Sequence, residues 1–585
     1  MSAARMQRPA GPPDTTPAVI FGALALAVVL VGGTWLAAHL GLALGDDPVH
    51  IDPNPLAYLL QLVIGKAAWP GLAATICAIT LAAIATGLGA LAAAAAQRWR
   101  DRDRRGSIDA RARHLATRAD VRDLGPKAAA DKAVRLRPAG VGAAPGEHGI
   151  ALGTIVGIGQ PALASFEDTL VVIAGPRVGK TVSYVVPTIV DSPGPVVATS
   201  NKRDVHDLTR DVRAARGQVW LFDPNDKVGA EPEFWFDPLG EITSIDDARE
   251  LASHFAMGSR AAGARTDAYF DGEGESLLAR TFLAAARGRR TLTDAYTWLQ
   301  NPYDSTPVAL LRHAGDLTTA AALEATAHLA DKQRDGIYGT ARSFVRCLEN
   351  PAITRWVTPP AKPLPKLEPA AIAASADTVY CLSEEGEGSA GPLVAALTQA
   401  IFTAGRRRAT HSPGGRLDPP LVTVLDEAAN VVRLRRLPSL YSHLGSQGLP
   451  VMTVLQSWAQ GTDVWGEGGM KTLWDASTVR LYLGGAADSA WLERLSQNIG
   501  PYDRDTVSTS YDGRGGRSRS LSTRTESIYT AADLGALPKG RALALIAGHR
   551  PLLLHTQPWM QGPHAEAIRA SFHRWDPGTR TGVTP

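Results

Sequence analysis

The sequence is poor in cysteine, in aromatic residues and in net charge. Its three cysteines, Cys77, Cys347 and Cys381, lie far apart and form no CxxC pair, which argues against a disulfide framework and against a zinc cluster. A net charge of +3 excludes a polycation that binds nucleic acid over its whole surface. Because 45% of the 585 residues are hydrophobic, the chain can form a sizeable core, and it is too long for one ordinary domain.

Two long N-terminal stretches contain no Asp, Glu, Lys or Arg. The first lies between Asp14 and Asp46, and the second covers 67–97. A helix over 18–44 would be about 40 Å long, enough to cross a hydrocarbon core of about 30 Å. We therefore predict two transmembrane helices, over 18–44 and 70–96, rather than a signal peptide or a buried helical hairpin.

The charges beside these helices predict their orientation. Arg5 and Arg8 precede the first helix, and the loop over 45–69 is acidic. Five arginines follow the second helix: Arg98, Arg100, Arg102, Arg104 and Arg105. Because positive flanks stay on the cytoplasmic side, we expect a multi-pass protein of the inner (plasma) membrane with both termini and the catalytic body in the cytoplasm.

The stretch over 97–138 is strongly basic, with thirteen Lys or Arg against six Asp. Attraction to anionic lipid explains such a stretch beside a membrane helix. A collar that guides DNA would have the same composition. The sequence leaves both interpretations open.

A glycine-rich segment after the apolar run 169–174 predicts a phosphate-binding loop. In such a P-loop the backbone amides surround the phosphates, the lysine contacts the β and γ oxygens, and the hydroxyl binds Mg²⁺. The first position holds alanine where the strict pattern has glycine. The motif predicts ATP and Mg²⁺ as cofactors, held by Ala174, Gly175, Pro176, Arg177, Val178, Gly179, Lys180 and Thr181.

A second apolar run, 420–425, ends in Asp426 and Glu427. Buried parallel strands have this composition, and open α/β sheets bind ligands at the carboxyl ends of their strands. With the P-loop upstream, Asp426 is predicted to hold the hydration shell of Mg²⁺. Glu427 is predicted to orient and deprotonate the attacking water.

Gln456 follows a third apolar run, 448–455. At the end of the strand after the Asp-Glu strand, a polar side chain is well placed to sense the γ-phosphate and to respond to its loss. A glutamine that caps the next helix fits the spacing equally well. Both interpretations stay open.

Several further apolar runs alternate with helical patterns, which predicts βαβ units and an α/β fold with a mainly parallel sheet. These runs are 195–199, 219–224, 378–382, 479–483 and 541–546. Residues 245–350 contain helix formers and no strand run, so we expect an inserted all-α domain there. The predicted order is a tail (1–17), a membrane anchor (18–96), a basic linker (97–149), nucleotide-binding parts (150–244 and 351–562) around the insertion, and a C-terminal tail (563–585).

The segment 508–527 is rich in Ser, Arg and Gly. A solvated mobile loop is the expectation from this composition. A hairpin that follows a phosphate backbone is the alternative, because arginine with small neighbours suits such contacts.

The order of these parts resembles the coupling-protein ATPases of bacterial conjugation and type IV secretion, the TraG/TraD-type family. The resemblance depends on four features: the two N-terminal spans, the P-loop at 174–181, the stretches 199–209 and 219–225, and the stretches 422–431 and 454–460. It covers residues 18 to about 560.

The resemblance implies a RecA-like P-loop motor that assembles as a homo-hexamer. It also implies that ATP hydrolysis drives DNA, held by its backbone and bound to a relaxase, into a type IV secretion channel. The relaxosome proteins and the channel proteins are then the expected partners. An arginine finger is not assignable by this route, although Arg433, Arg435, Arg436 and Arg480 fall near predicted strand ends.

Two other functions compete with this hypothesis. A secretion receptor that docks effector proteins would share the same nucleotide motifs. A chromosome-partitioning DNA pump of the FtsK type would carry more membrane spans and a C-terminal winged helix, and neither is visible after Asp533.

Overall fold

The structure is a computed structural model that describes residues 16–44, 49–142, 144–259, 267–386, 388–511 and 517–580. Residues 1–105 and 106–585 form two compact units. Most of the predicted N-terminal tail (1–17), residues 45–48 of the predicted loop and residues 581–585 of the C-terminal tail lie outside the described residues.

The first unit is helical. Its helices are α1 (Thr16–Leu44), α2 (Pro55–Val63) and the greater part of α3 (Gly71–Arg111). Helix α2 lies within the predicted loop over 45–69 and was not expected. Its first turn is capped by Asn54, whose side chain accepts hydrogen bonds from the amides of Leu56 and Ala57.

One helix among the described residues is long and apolar enough to cross a membrane, and it covers Gly71–Ala92 of α3. Large apolar side chains on it, such as Leu72, Ile79 and Leu91, are exposed, as lipid-facing residues are. In α1 the described side chains form a shorter apolar segment, Leu30–Leu44. One of the two predicted spans therefore has a candidate helix, and the second stays a prediction.

The second unit is built on an eleven-stranded sheet. Its strands run in the order β2-β1-β13-β12-β9-β3-β8-β7-β4-β6-β5. They are β1 (Ile150–Ile155), β2 (Pro161–Ala164), β3 (Leu170–Ile173), β4 (Val196–Ser200), β5 (Val219–Phe222), β6 (Thr378–Leu382), β7 (Val422–Leu425), β8 (Val451–Leu455), β9 (Val479–Tyr482), β12 (Arg541–Ile546) and β13 (Leu552–His555). A separate antiparallel pair is formed by β10 (Pro501–Tyr511) and β11 (Arg517–Ser527).

Seven neighbouring strands of this sheet run parallel, which confirms the prediction of a mainly parallel sheet. They are β9, β3, β8, β7, β4, β6 and β5. The four strands β12, β13, β1 and β2 continue it in antiparallel pairs. Both faces of the parallel part are covered. In β3, for example, Val171 and Ile173 enter one hydrophobic core while Leu170 and Val172 enter the other. This two-sided burial is why these strands are continuous apolar runs.

Helices fill the connections of the second unit. Before the insertion they are α4 (Pro126–Leu136), α5 (Val186–Asp191) and α6 (Asp204–Ala214). The insertion contains α7 (Ile245–Gly258), α8 (Ala268–Arg287), α9 (Leu292–Gln300), α10 (Thr306–His313), α11 (Leu317–Ala327) and α12 (Asp331–Phe344). The remainder are α13 (Pro351–Thr354), α14 (Pro369–Ile372), α15 (Gly391–Thr410), α16 (Ala428–Val431), α17 (Leu437–Leu444), α18 (Trp458–Ala476), α19 (Ser489–Ile499), α20 (Ala531–Gly535), α21 (Ala565–Trp575) and α22 (Pro577–Arg580).

The described residues of 245–350 contain helices and no strand. Their buried side chains, such as Phe255 and Phe282, belong to the same hydrophobic core as Phe222 and Leu425 of the sheet. The helices therefore pack on one face of the sheet within the second unit. Their status as an inserted domain stays a prediction.

The described residues of 508–527 lie in two paired strands, which agrees with the alternative of a hairpin and not with a mobile solvated loop. Contact of these strands with a phosphate backbone stays a prediction. β10 and β11 pair antiparallel from Pro501 opposite Ser527 to Tyr511 opposite Arg517. Cross-strand pairs hold the described base of the hairpin, where Thr523 donates to Asp505 and Thr525 donates to Asp503, both at 2.8 Å. Threonine and serine at alternating positions favour strands, and this outweighs the glycine and arginine content. The arginines at 514, 517 and 519 lie outside the described side chains.

Two arginines of the predicted linker over 97–149 form ion pairs within the second unit. Arg111 forms two hydrogen bonds of 2.8 Å with the carboxylate of Asp533. Arg137 pairs with Glu147 at 2.6 Å. These guanidinium groups neutralise nearby acids of the body, so part of the basic composition has a structural origin.

Arg213 joins the segments that precede two neighbouring strands, β4 and β6. It is fully buried, and it donates to the carbonyls of Ser192, Gly194 and Ala376 and to the hydroxyl of Thr378. Burial lowers the pKa of the guanidinium to about 10. Its five donors thus fix the starts of β4 and β6 from α6.

We expect Arg213→Ala to destabilise the second unit by about 3 kcal/mol, because it leaves a cavity and several buried acceptors without donors. The thermal unfolding midpoint of the purified chain in detergent should fall by roughly 5 °C. Arg249→Ala is the matched control, since Arg249 pairs with Asp246 on an exposed helix surface, and it should change stability by less than about 0.5 kcal/mol. An equal midpoint for both variants would contradict this account.

Candidate active site

The candidate site lies at the carboxyl edge of the parallel strands, where four neighbouring strands end. The P-loop follows β3, Gln456 follows β8, Asp426 and Glu427 follow β7, and Asn201 follows β4. In the sheet these strands are adjacent in the order β3-β8-β7-β4. Segments that are more than two hundred positions apart in the chain therefore meet at one edge, which is where open α/β sheets bind ligands.

The P-loop has the conformation of a phosphate cradle. Arg177 has a φ of 60° and Gly179 a φ of 98°, so the chain turns through the left-handed region twice before the helix begins at Lys180. Among the described residues, no group accepts a hydrogen bond from the amides of Arg177, Val178 or Gly179. Free amides around a turn at a helix N-terminus form an anion site.

The start of the P-loop is held by two neighbouring segments. The amide of Gly175 donates to the carbonyl of Gly484, in the turn after β9, at 3.0 Å. The amide of Ala174 donates to the carbonyl of Leu455, at the end of β8, at 3.0 Å. A Cβ on Gly175 would lie 2.6 Å from the carbonyl carbon of Gly485 and 2.8 Å from its Cα. Glycine at 175 is required because the two backbones touch at this point.

Lys180 lies between the two acids. Its Nζ is 3.1 Å from Oε1 of Glu427 and 3.6 Å from Oδ1 of Asp426, and its side chain is only 12% exposed. Both carboxylates are almost fully buried. The structure thus brings together the lysine and the acid pair that the sequence predicted as parts of one site, although their catalytic roles stay predictions.

Glu427 is held in a strained conformation by several donors. Its φ of 53° and ψ of 46° place a non-glycine residue in the left-handed region, which costs on the order of 1–3 kcal/mol. Oε1 accepts from Lys180 and from Gln456 at 3.1 Å. Oε2 accepts from Asn201 at 2.5 Å and from Asn430 at 3.4 Å. The surrounding structure therefore fixes this carboxylate on both sides.

The two acids differ in their electrostatics. Burial raises the pKa of Asp426 to about 6, against the opposing effect of the Lys180 ammonium. Burial also opposes the ionisation of Glu427, but Lys180 and the Gln456 amide outweigh it and keep the pKa of Glu427 below its ordinary value. Glu427 therefore gives up its proton at lower pH than Asp426 does, because its contacts favour the ionised form more strongly.

Gln456 contacts Glu427 and does not cap the next helix. The N-cap of α18 is Ser457, whose hydroxyl accepts from the amide of Gln460. The Gln456 side chain instead points to the acid pair. Of the two interpretations, the structure excludes the cap, and the γ-phosphate role stays a prediction.

The four arginines near the strand ends have different surroundings. Arg435 forms two hydrogen bonds with Glu275 of α8, and Arg436 pairs with Glu250 of α7. Arg433 donates to the carbonyl of Ala429. Arg480 lies on β9, where burial lowers its pKa. None of these contacts assigns an arginine finger.

Comparisons with known proteins all find similarity to coupling proteins. Residues 420–539 match the family model described as the TraM recognition site of TraD and TraG. VirD4 of Agrobacterium fabrum (strain C58) is 22% identical over 415 residues, which cover 66% of this chain and 57% of that protein. VirD4 of Rhizobium radiobacter is 21% identical over 400 residues, with 66% of this chain and 56% of that protein covered.

Among solved structures, the bacterial conjugative coupling protein TrwBdeltaN70 in its unbound form superposes with a TM-score of 0.50. The match covers 68% of this chain and 87% of that one at 18% identity, and it shows a shared fold. The chain is thus similar to the TraG/TraD-type coupling proteins. It spans a little more than half the length of the VirD4 relatives that it matches.

Two residues of this site were missed from the sequence. Asn201 lies two positions after the run 195–199 that was predicted as a strand, and a polar residue close to that strand end was the available signal. Gly485 belongs to a Gly-Gly pair after the run 479–483. Nothing local indicates that this pair contacts the P-loop, because the contact joins segments three hundred positions apart.

We expect Gly175→Ala to weaken ATP binding by at least about tenfold, because the new Cβ overlaps the backbone of Gly485 and displaces the cradle. A fluorescent ATP analogue titrated into the purified chain measures this. Gly272→Ala in α8 is the matched control, since a Cβ there meets no atom within 4 Å, and it should bind ATP like the unsubstituted chain. Unchanged affinity in Gly175→Ala would show that the cradle does not depend on this contact.

Proposed function

We propose that the chain is a membrane-anchored ATPase of the coupling-protein type that drives relaxase-bound DNA into a type IV secretion channel. The observation that carries the ATPase part is the convergence of Lys180, Asp426 and Glu427 within 3.6 Å at the carboxyl edge of the sheet. The DNA cargo is supported by the similarity to TraG, TraD and VirD4.

The residues present fit a Mg²⁺–ATP complex. Oδ1 of Asp426 is buried and receives no hydrogen bond from any described group, so it has a lone pair for a metal-bound water. No cluster of three or more acidic, His or Cys ligands occurs among the described residues. This agrees with Mg²⁺, which is usually held by one or two protein ligands together with phosphate oxygens. Thr181 and Asp426 would hold the ion, which would neutralise charge on the phosphates.

The side chains of the chain then have distinct roles in hydrolysis. The free amides of the P-loop bind phosphate oxygens, and Lys180 moves from the acids to the β- and γ-phosphates. Glu427 accepts a proton from the water whose oxygen bonds to the γ-phosphorus. The bond from that phosphorus to the bridging oxygen breaks, and ADP and phosphate leave. Gln456, which contacts Glu427, senses the γ-phosphate.

The remaining parts of the proposal rest on the family resemblance. A homo-hexamer would place DNA in a central pore and track its backbone, which needs no base-reading module. The relaxosome and the secretion channel are the proposed protein partners, and the matched family model is described as a TraM recognition site. A second span in α1 would make the protein multi-pass, with the body on the cytoplasmic face of the inner membrane.

The test is ATP turnover by the purified chain in detergent, with and without DNA. DNA should stimulate turnover, and candidate effector proteins should not. Lys180→Ala should lose ATP binding. Glu427→Gln should bind ATP but hydrolyse it about a hundredfold more slowly, because the general base is gone.

Three results would contradict the proposal. Brisk turnover by Glu427→Gln would remove Glu427 from the role of base. Stimulation by effector proteins but not by DNA would favour the secretion receptor. Conjugative transfer by donor cells that carry Lys180→Ala, at the level of the unsubstituted chain, would refute the motor.

A further inference from the structure

Asn201 contacts the carboxylate that the proposed function uses as base. It directly follows β4, the strand beside β7 in the sheet. Its Nδ2 lies 2.5 Å from Oε2 of Glu427. Because a carboxylate only accepts hydrogen bonds, the amide nitrogen must face Glu427. The other end, Oδ1, is buried and receives no hydrogen bond from the described part of the chain.

The pairing of β4 with β7 fixes the distance between the two side chains. Thr199 lies opposite Leu425 in the register, and the amide of Asp426 donates to the carbonyl of Thr199 at 3.2 Å. The strands themselves are fully buried. Asn201 and Glu427 therefore project from the ends of two rigid, hydrogen-bonded neighbours.

The carboxylate of Glu427 is saturated in this structure. It has about four lone-pair sites, and four side chains donate to it: Lys180 and Gln456 on Oε1, and Asn201 and Asn430 on Oε2. In this arrangement no lone pair remains for a water proton. Glu427 becomes a base only when a donor leaves.

Lys180 is the donor that nucleotide removes. A triphosphate in the cradle offers Lys180 more negative charge than Glu427 does, and the departure of Lys180 frees one lone pair of Oε1 while Gln456 still donates to that atom. Lys202 and Asp426 also lie near Glu427, but neither donates a hydrogen bond to it. The short bond from Asn201 to Oε2 does not involve the phosphates and stays in place.

We propose, on the basis of the proposed ATPase function, that Asn201 is a positioning residue. It holds Oε2 of Glu427 while Lys180 turns to the phosphates, so that Oε1 is aimed at the attacking water. The carbonyl oxygen of Asn201 is buried and receives no hydrogen bond from the described residues, as expected where a bound ligand or water completes the hydrogen bonds. The left-handed backbone of Glu427 makes such an external hold necessary, because its own turn is strained.

The test compares Asn201→Ala with Asn201→Asp, which keeps the shape but replaces the donor by an oxygen. Both variants should lower kcat for ATP by about tenfold or more, while KM and the affinity for ATP change less than about threefold. Asn201→Asp also covers the case in which the truncated variant does not fold.

A double-mutant cycle separates positioning from general stabilisation. In the Glu427→Gln background, Asn201→Ala should change the residual single-turnover rate by less than about twofold, because the carboxylate on which Asn201 acts is already gone.

Asn225→Ala is the matched control. Asn225 follows β5 at the same edge, but it accepts hydrogen bonds from Ser383, Glu384 and Ala390. It should lower the unfolding midpoint and leave kcat unchanged.

Two results would overturn the inference while the ATPase function stands. One is a kcat of the Asn201 variants within about twofold of the unsubstituted chain. The other is an equal loss in the Glu427→Gln background. If the unsubstituted chain itself hydrolyses no ATP, the proposed function fails and this inference fails with it.

Discussion

The ion pair of Lys180 with Asp426 and Glu427 is the interaction on which the candidate site depends. Each of the three side chains is at least 88% shielded from solvent, and an unpaired charge in such a place would cost several kcal/mol. The ammonium and the carboxylates therefore require each other. Because the lysine belongs to the loop after β3 and the acids to the end of β7, the ion pair joins two strands that have β8 between them.

Strain and close packing accompany this pair. Arg177 and Glu427 both have left-handed backbones, and Gly175 touches the backbone of Gly485. Such conformations persist only where the surrounding structure holds them. Here the surroundings are strand ends of a buried sheet, so the sheet itself holds the acid pair and the turn at 175–179 in place. Under the proposed function, nucleotide would have to redirect the Lys180 side chain rather than assemble the site.

Much of the fold was predictable, for a local reason. Strands buried on both faces, such as β3, β7 and β8, are continuous apolar runs, and the polar residues that follow them identified Lys180, Asp426, Glu427 and Gln456. The strands β1, β2 and β13 were not predicted, and β1 pairs with β13 across about four hundred positions of the chain. For β10 and β11 a loop was preferred to the hairpin alternative, since their composition is polar and their stability comes from cross-strand pairing.

The chemical groups, the P-loop turn and the central strands can be read from the sequence, because P-loops and buried strands have local signatures. The choice of neighbouring strands is made by the folded chain alone. That choice put Asn201 against Glu427 and Gly485 under the P-loop, and it gave the Lys180 ammonium two carboxylates. These contacts follow from the order and register of the strands, which pair segments hundreds of positions apart and which no local pattern records.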